Sequence, residues 1–254
     1  MRIVSWNVNG IRAAERKGFL EWLQQEQPDI VCVQESKIQP DQVTKKLRHP
    51  EGYATLWTSG VRKGYSSTAT FVKEGLEPQT LDLMGVQQFD DEGRVQILRY
   101  PDFNLINAYF PNSRDERARL GFKLEFFSDI TRLCADMVAK GENVILCGDY
   151  NVAHKPIDLA RPKPNENSPG YYIEEREAMT AFLDAGFVDV FRRFDDGPDN
   201  YTWWSYRARS RERNVGWRID YHCVNEAFMP RVKDCKIMPD VMGSDHCPVM
   251  LEIE

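Results

Sequence analysis

The sequence predicts an α/β fold in which two mixed β-sheets pack against each other and helices lie outside them. Short apolar runs typical of strands recur along the 254 residues, and many follow one another like hairpins. Segments with apolar residues at helical spacing are too few to connect the strands of a purely parallel sheet. No repeat, low-complexity tract or linker divides the chain, so one domain over residues 1–254 is the simplest interpretation.

The first part of the chain alternates between strand and helix patterns. Residues 2–8 (RIVSWNV) alternate with a period of two, which predicts a strand. Residues 14–26 carry apolar side chains at helical spacing, with Pro28 just beyond, and predict a helix. Residues 29–35 (DIVCVQE) form a short apolar run that predicts a buried strand. Three further strands are expected at TATFVK, VQILRY and FNLINAYF, the last two joined by a hairpin turn at PDF.

The second part of the chain contains the longest helical pattern. Apolar residues recur every three or four positions between residues 115 and 140, and Gly141 can end that helix. The run NVILCGD that follows predicts a buried strand with a polar end, and residues 174–184 predict another helix. The remaining strands are expected at YTWWSY, RIDYHCV, VKDCKIM and PVMLEI.

Composition and charge exclude several classes of protein. The net charge is −6, which argues against a simple basic coat for nucleic acid. The six cysteines form no CxxC pair, which is typical of free thiols in a reducing compartment. No stretch reaches the roughly 18 apolar residues of a membrane span, and the N-terminus lacks the apolar core of a signal peptide. We therefore expect a cytoplasmic protein with no membrane partner.

Polar side chains follow or precede six of the predicted strands. A single Asp or Asn at such a place is more often a turn former than a catalyst. Six strands that each present an acid, an amide or a phenol at one end are better explained by one polar pocket above a rigid core. The side chains concerned are Asn7, Asn9, Glu35, Tyr109, Asn112, Asp149, Asn151, Asp220, Asp245 and His246.

The residue types in this predicted pocket indicate phosphoryl chemistry. The sequence has no zinc-ligand set, no G-x-S-x-G elbow and no Walker loop. Carboxylate and amide oxygens suit a hard cation such as Mg²⁺, with Mn²⁺ as a substitute. Such a cation offsets phosphate charge, a carboxylate readies water, and an imidazole with an acid partner holds phosphate oxygens.

Eight segments give the chain a close resemblance to the exonuclease III family of abasic-site DNA endonucleases, within the wider group that includes DNase I. They occur in the family's order over nearly the whole chain: SWNVNGIR, PDIVCVQESK, EGRV, NAYFPN, GDYNVAH, IDLARPK, NVGWRIDY and GSDHCPV. The resemblance implies a four-layered α/β sandwich, with two packed mixed β-sheets flanked by helices. This agrees with the strand and helix order described above.

The resemblance also implies roles for individual residues. The catalytic residues it implies are Tyr109, Asp149, Asn151, Asp220 and His246. The metal-binding residues it implies are Asn7, Glu35, Asp149, Asn151 and Asp245. In this scheme His246 contacts the scissile phosphate, and Asp220, expected from the preceding hairpin, holds the tautomer of the imidazole ring.

A basic segment at residues 206–218 stands out from the acidic total. It contains five arginines and one glutamate, and its simplest interpretation is a solvated loop. Its position beside tryptophans favours a surface that follows the DNA backbone without reading sequence. Together with the resemblance, this gives the candidate DNA contacts Arg62, Lys63, Asn112, Asn165, Trp203, Arg207, Arg209 and Trp217, of which the two tryptophans form a pocket for the abasic sugar.

The activity implied by the resemblance is Mg²⁺-dependent hydrolysis 5′ to an abasic site in double-stranded DNA by a monomer. The products are a 3′-hydroxyl and a 5′-deoxyribose phosphate, and 3′–5′ exonuclease, 3′-phosphatase and uridine endonuclease activities stay open. The chain departs from the family at Asn9, where some members carry an acid, and within residues 65–69 and 165–172.

Two other classes of protein are weighed against this activity. A non-catalytic nucleic-acid-binding regulator on the same scaffold is the alternative, but such relatives lack the acids, amide or histidine found here. A phosphoesterase for lipids or inositol phosphates would share the metal site and the histidine, but it would lack the Trp/Arg surface.

Overall fold

The computed structural model describes residues 1–254, which form twelve strands and seven α-helices. The strands are β1 (Arg2–Asn7), β2 (Ile30–Gln34), β3 (Tyr53–Thr58), β4 (Thr68–Lys73), β5 (Thr80–Asp82), β6 (Val95–Arg99), β7 (Asn104–Tyr109), β8 (Val144–Asp149), β9 (Phe187–Asp189), β10 (Asp220–Asn225), β11 (Val232–Ile237) and β12 (Val249–Ile253). The helices are α1 (Ile11–Arg16), α2 (Phe19–Glu26), α3 (Lys45–Arg48), α4 (Gln87–Asp90), α5 (Leu120–Ala139), α6 (Ile173–Asp184) and α7 (Phe191–Phe194).

The strands form two six-stranded mixed sheets. The first sheet has the order β11-β12-β1-β2-β4-β3, and the second has the order β5-β6-β7-β8-β10-β9. Each sheet contains one parallel pair, β1 with β2 and β7 with β8, while the other neighbours are antiparallel. The hairpin predicted between VQILRY and FNLINAYF is present, with Arg99 opposite Asn104.

The core consists of three apolar layers, and these account for the four-layered arrangement. Between the sheets, Ile3 and Cys32 of the first sheet pack in one cluster with Leu105 and Ile145 of the second. Helices α1 and α2 cover the outer face of the first sheet, while α5 and α6 cover that of the second. The predicted fold class, two packed mixed sheets flanked by helices, is therefore confirmed.

Three predicted elements differ from the structure. The helix predicted over residues 14–26 is two helices, because Gly18 has φ 97° and interrupts the helical backbone. The long helix begins at Leu120 rather than near residue 115. The segment YTWWSY is not a strand, since Trp203 makes only isolated bridges to Trp217 and His246. Strands β3, β5 and β9 were not predicted, because they are short or only partly buried and show little alternation.

A fully buried ion pair joins helices α5 and α6 beneath the end of β8. The Lys123 Nζ lies 2.8 Å from Oε1 of Glu175, and both side chains are 0% exposed. The same ammonium group donates to the backbone carbonyl of Asn151 at 2.6 Å, and the Tyr172 amide donates to Glu175. Because every charge here is paired, the arrangement fixes the chain that leaves β8.

We predict that Lys123→Met lowers the free energy of unfolding by about 3–5 kcal/mol, because it leaves the Glu175 carboxylate buried without its partner. Urea denaturation measures the change. The double variant Lys123→Met/Glu175→Gln should be more stable than the single variant. The control Arg132→Met removes an exposed pair with Asp129 and should cost less than about 1 kcal/mol. Equal losses in the two single variants would contradict this account.

Candidate active site

The ends of five strands bring polar side chains to one cavity of about 420 Å³ at an end of the two packed sheets. Strands β1 and β2 belong to the first sheet, and β7 and β8 belong to the second. The loop before β12 supplies two more side chains. The predicted residues that line this cavity are Asn7, Asn9, Glu35, Tyr109, Asn112, Asp149, Asn151, Trp203, Trp217, Asp245 and His246. Asp220 is not among the lining residues and contacts His246 instead. The structure therefore brings together most of the residues that the sequence indicated, and their roles stay predictions.

Left-handed backbone residues end the strands on the cavity side. Asn9, Glu35 and Asn151 have φ values of 47°, 56° and 52°. Asparagine tolerates this conformation, while for other residues it is uncommon and costs about 1 kcal/mol or more. Because the turn comes one or two residues after each strand, the strand stops and the side chain is presented to the cavity.

Asp149 lies at the centre of the cavity floor and is 1% exposed. Its Oδ2 accepts hydrogen bonds from the Asn7 amide at 2.8 Å and the Asn151 amide at 3.2 Å. Its Oδ1 accepts one from the Asn151 backbone N–H at 2.7 Å. The Asn7 amide also donates to Glu35 at 3.2 Å, so one amide connects the two carboxylates.

A glycine makes room for this carboxylate. Gly148 precedes Asp149 in β8 and has φ 148°. A Cβ placed there would lie 1.8 Å from the carbonyl oxygen of Ala108 on the neighbouring strand β7. Only glycine therefore allows the two parallel strands to run together up to the site.

His246 and Asp220 form a buried acid–imidazole pair. Nδ1 of His246 lies 2.9 Å from Oδ2 of Asp220, and the Thr202 hydroxyl donates to the same oxygen at 2.5 Å. The prediction that Asp220 arrives from the hairpin preceding the final strand is wrong, because β10 lies in the second sheet between β8 and β9, while β11 and β12 lie in the first. The pair therefore connects the two sheets rather than two neighbours in one sheet.

The charges around this pair shift its proton equilibria. Burial alone would lower the pKa of His246, but the nearby Asp220 carboxylate outweighs it and raises the pKa to about 10. Burial and the charge of Asp220 raise the pKa of Asp149 to about 7, against the opposing effect of His246. His246 Nε2 lies 4.0 Å from Oδ2 of Asp149, so an imidazolium and a carboxyl group face each other across the cavity.

Glu35 and Asp245 form the other end of the cavity. Lys37 Nζ lies 3.0 Å from Glu35 Oε1 and donates to the Asn9 side chain at 2.5 Å. Asn9 in turn donates to Asp245 at 3.1 Å. Burial would raise the pKa of Asp245, but the charge of His246 and hydrogen bonds from Trp203 and Asn9 outweigh it, so that pKa is lowered.

The side walls of the cavity are aromatic. The rings of Trp203 and Trp217 meet edge to face with centroids 6.2 Å apart, and the Trp203 indole donates to Asp245 at 3.0 Å. On another side, Tyr109 is buried, which raises the pKa of its hydroxyl well above the ordinary value and keeps it protonated. The Arg94 guanidinium lies 4.9 Å from the Tyr109 ring and donates to its carbonyl. The floor is therefore polar and the walls are largely apolar.

The predicted DNA contacts have mixed placements. Arg62, Lys63, Arg207 and Arg209 are exposed outside the cavity. Asn112 is exposed at the rim and donates to the Asn151 side chain. The Asn165 side chain does not line the cavity, since it bonds the Arg161 carbonyl and the Ser168 hydroxyl within its own loop.

Three other tryptophan and arginine residues in or beside the basic segment are buried or partly covered. Arg218 is 1% exposed and is paired with Asp158 and Asp189. Trp204 is buried, and Arg211 is partly covered. The sequence pattern could not separate these residues from Arg207 and Arg209, because charge alone carries no sign of burial.

Thr202, Lys37 and Lys123 are site residues that sequence reasoning missed. Each acts through a neighbour: Thr202 through Asp220, Lys37 through Glu35 and Lys123 through the Asn151 backbone. No local pattern marks them, although Lys37 lies inside the segment PDIVCVQESK.

The donor set of the cavity suits a hard cation. Asn7, Glu35, Asp149, Asn151 and Asp245 line it, and oxygen-only ligand sets are those that Mg²⁺, Mn²⁺ and Ca²⁺ prefer. The amide oxygen of Asn7 accepts from the Asn9 N–H and that of Asn151 from the Asn112 amide, and each keeps a second lone pair. Asp149, Asp220 and His246 also place one ligand atom each within 4.8 Å of one another, but Nδ1 of His246 already bonds Asp220. The site can therefore hold a metal ion, with the carboxylate and amide oxygens as the fitting ligands.

The fold and this site together define a metal-binding hydrolase of phosphate esters. The model of the Endonuclease/Exonuclease/phosphatase family matches residues 4–246, and the chain belongs to that family. The chain is 47% identical to the exodeoxyribonuclease of Bacillus subtilis, covering 100% of this chain and 99% of that one. It is 38% identical to the DNA-(apurinic or apyrimidinic site) endonuclease of Dictyostelium discoideum, covering 100% of this chain and 71% of that one.

Solved structures agree with the sequence relatives. An AP endonuclease from Archaeoglobus fulgidus superimposes with a TM-score of 0.88 at 27% identity, covering 100% of this chain and 99% of that chain. The protein is thus a DNA-repair nuclease of the exodeoxyribonuclease and AP endonuclease group.

We predict that Thr202→Val lowers the free energy of unfolding by about 1–3 kcal/mol, because the buried Asp220 carboxylate loses a donor and two backbone N–H groups lose an acceptor. Chemical denaturation measures the difference. Thr131→Val is the matched control, since its hydroxyl only bonds the Phe127 carbonyl in the same helix. The control should change stability by less than about 0.5 kcal/mol. A Thr202 variant as stable as the control would show that the hydroxyl is dispensable.

Proposed function

We propose that the protein cleaves double-stranded DNA 5′ to an abasic site in a Mg²⁺-dependent reaction. The products are a 3′-hydroxyl and a 5′-deoxyribose phosphate. The observation that carries the proposal is the 4.0 Å separation of Asp149 and His246 beside a wall of two tryptophans. The Dictyostelium relative, whose name refers to apurinic or apyrimidinic sites, supports the choice of substrate.

Asn7, Glu35, Asp149, Asn151 and Asp245 are the residues that would hold the cation. When bound, Mg²⁺ supplies positive charge that stabilises the charge developing on the scissile phosphate. The Lys37 ammonium group already offsets part of the negative charge of Glu35, which weakens the attraction of that carboxylate for a cation. Mn²⁺ has the same ligand preference and should replace Mg²⁺.

Asp149 and His246 provide the proton chemistry. The Asn7 amide and the Asn151 amide fix the direction of the Asp149 carboxylate, so an unprotonated oxygen can accept a proton from an attacking water. His246 is held by Asp220 with Nε2 towards the cavity, where its N–H can donate to a phosphate oxygen. Because the raised pKa of His246 keeps its imidazole protonated, Asp149 is the group of the two that can accept the proton of the water.

Tyr109 and Asn112 complete the phosphate side. The raised pKa of Tyr109 keeps its hydroxyl a hydrogen-bond donor over the physiological pH range. The Asn112 amide projects at the cavity rim beside Asn151. Two neutral donors at this place can orient the phosphate without competing with the cation for its charge.

The tryptophan wall explains selection of an abasic sugar. A nucleotide without a base costs less to swing out of the helix, because it has no stacking or pairing to lose. Trp203 and Trp217 line the cavity together with Gly170 and Ile219. In this proposal a sugar without a base packs against these apolar side chains, and an intact base does not.

The protein should act as a monomer in the cytoplasm. All six cysteines are free and buried, which suits a reducing compartment. None of the helices has the length and apolar character that a membrane crossing requires.

Arg62, Lys63, Arg207 and Arg209 are available to contact phosphates of double-stranded DNA beyond the cavity.

We expect the protein to nick a duplex carrying one abasic analogue when Mg²⁺ is present and not when EDTA is present. Asp149→Asn should slow the nick by about 10²-fold or more, because it removes a proton acceptor. Denaturing gel electrophoresis measures the product. Asp136→Asn, an exposed acid on helix α5, is the matched control and should cleave at the normal rate. A nick that persists in EDTA, or at the normal rate in the Asp149 variant, would overturn the proposal.

We also predict that Trp217→Ala weakens discrimination for abasic DNA more than it weakens DNA binding in general. Discrimination is the Kd for the intact duplex divided by the Kd for the abasic duplex. Loss of one apolar contact in the pocket should lower this ratio by about tenfold. Fluorescence anisotropy with matched duplexes in EDTA measures both constants. Trp57→Ala, on the edge strand β3, controls for general loss of stability. Equal weakening on the two duplexes would rule out this role.

A further inference from the structure

Arg211 lies in the basic segment 206–218, but its guanidinium group points into the protein. Nη2 donates to the carbonyl oxygens of Pro239 and Val241, both at 2.7 Å, and Nη1 donates to that of Ser244 at 3.1 Å. Its Cζ lies 4.7 Å from the centroid of the Trp204 ring. Three carbonyl acceptors and an aromatic face hold this planar group in one orientation.

The segment that Arg211 holds leads directly to Asp245 and His246. Residues 239–244 contain no helix or strand, and side chains bond four of their carbonyl oxygens, three through Arg211 and one through Lys17. The Ser244 hydroxyl donates to the Asn7 carbonyl at 2.8 Å and accepts from the His246 N–H at 3.2 Å. Fixing the Ser244 backbone therefore fixes the backbone position of His246, from which the catalytic imidazole extends.

Arg207 and Arg209 of the same segment behave differently. The Arg209 side chain is 81% exposed and only approaches Glu212 at 4.0 Å. Arg207 has no side-chain partner within the chain, while its carbonyl accepts from the Ser210 hydroxyl. The backbone of residues 207–215 is closed by turn hydrogen bonds, including those from the Ser210 N–H to the Arg207 carbonyl and from the Val215 N–H to the Ser210 carbonyl. The segment thus presents two arginines outward and one inward from a single compact turn.

We propose that Arg211 is a positioning residue that ties the DNA-facing turn of Arg207 and Arg209 to the segment carrying Asp245 and His246. It contacts neither the phosphate nor the cation. Its action is to hold the backbone of residues 239–244 while the outward arginines engage DNA. This role rests on the proposed function and adds to it a specific connection between DNA contact and catalytic alignment.

Two substitutions separate positioning from phosphate contact. Arg211→Lys keeps the positive charge but cannot bridge the three carbonyl groups. Arg211→Met removes both the charge and the hydrogen bonds to the carbonyls. Both should lower the single-turnover rate constant for nicking by about 10–100-fold, with KM little changed. Neither should alter the dependence of log Kd on log salt concentration, measured with a tetrahydrofuran-containing duplex in EDTA. Arg209→Met should reduce that slope by about one, because it removes a phosphate contact.

Arg193→Met, an exposed arginine on helix α7, is the charge-matched control and should leave both the rate constant and the slope unchanged. Hydrogen exchange of the peptide containing residues 239–247 gives a readout without cleavage, and it should be faster in both Arg211 variants. If Arg211→Met unfolds the protein, Arg211→Lys decides the result.

A smaller salt slope in Arg211→Met together with normal cleavage by Arg211→Lys would show a phosphate contact and overturn the proposal. Normal rates or unchanged exchange in both variants would overturn it as well. Failure of the wild-type protein to nick the duplex contradicts the proposed function instead, and the exchange measurement then decides the role of Arg211.

Discussion

The structure depends on keeping the Asp149 carboxylate inside the protein, where water cannot solvate it. Burying an unpaired carboxylate is costly, and the protein offsets this cost with donors rather than with a counter-ion in direct contact. Two amides and one backbone N–H point at Asp149, and the His246 imidazole lies 4.0 Å away. Each donor must come from a fixed place, so the ends of β1 and β8 and the loop before β12 are constrained together. The left-handed turn at Asn151, fastened by buried Lys123, is one result of this constraint.

Two packed sheets satisfy the constraint better than one sheet would. His246 comes from the first sheet and Asp220 from the second, so their hydrogen bond crosses between the layers. The apolar cluster beneath the cavity contains residues of both sheets and holds the layers in register. Because cores are close-packed and resist deformation, this foundation can hold the acid–imidazole pair to fractions of an ångström. Loops alone would leave the same side chains free to separate.

The sequence predicted those features that are local in the chain. Strand ends with Asn7, Glu35 and Asp149 could be recognised because an apolar run stops at a polar residue within one segment. The pairing of Asp220 with His246 came only from family resemblance, and its placement in one hairpin was wrong, because strand alternation does not reveal which sheet a strand joins. The break at Gly18 was missed because the apolar spacing continues across it. Thr202 and Arg211 act through contacts distant in sequence, and Lys37 acts through a carboxylate two residues away. None of these contacts leaves a periodic signal in the sequence.

The division of the arginines explains how an acidic chain can act on a polyanion. Arg94 and Arg218 are almost fully buried and paired with acids, and Arg211 is used by backbone carbonyls, so these charges contribute to the structure rather than to attraction of DNA. Exposed lysines and arginines are spread along the chain, and Arg207 and Arg209 are among them. Each phosphate that such side chains neutralise adds to affinity for DNA and to its salt dependence. Under the proposed function, discrimination between abasic and intact DNA falls to the cavity, where the tryptophan wall and the buried carboxylate meet a single nucleotide.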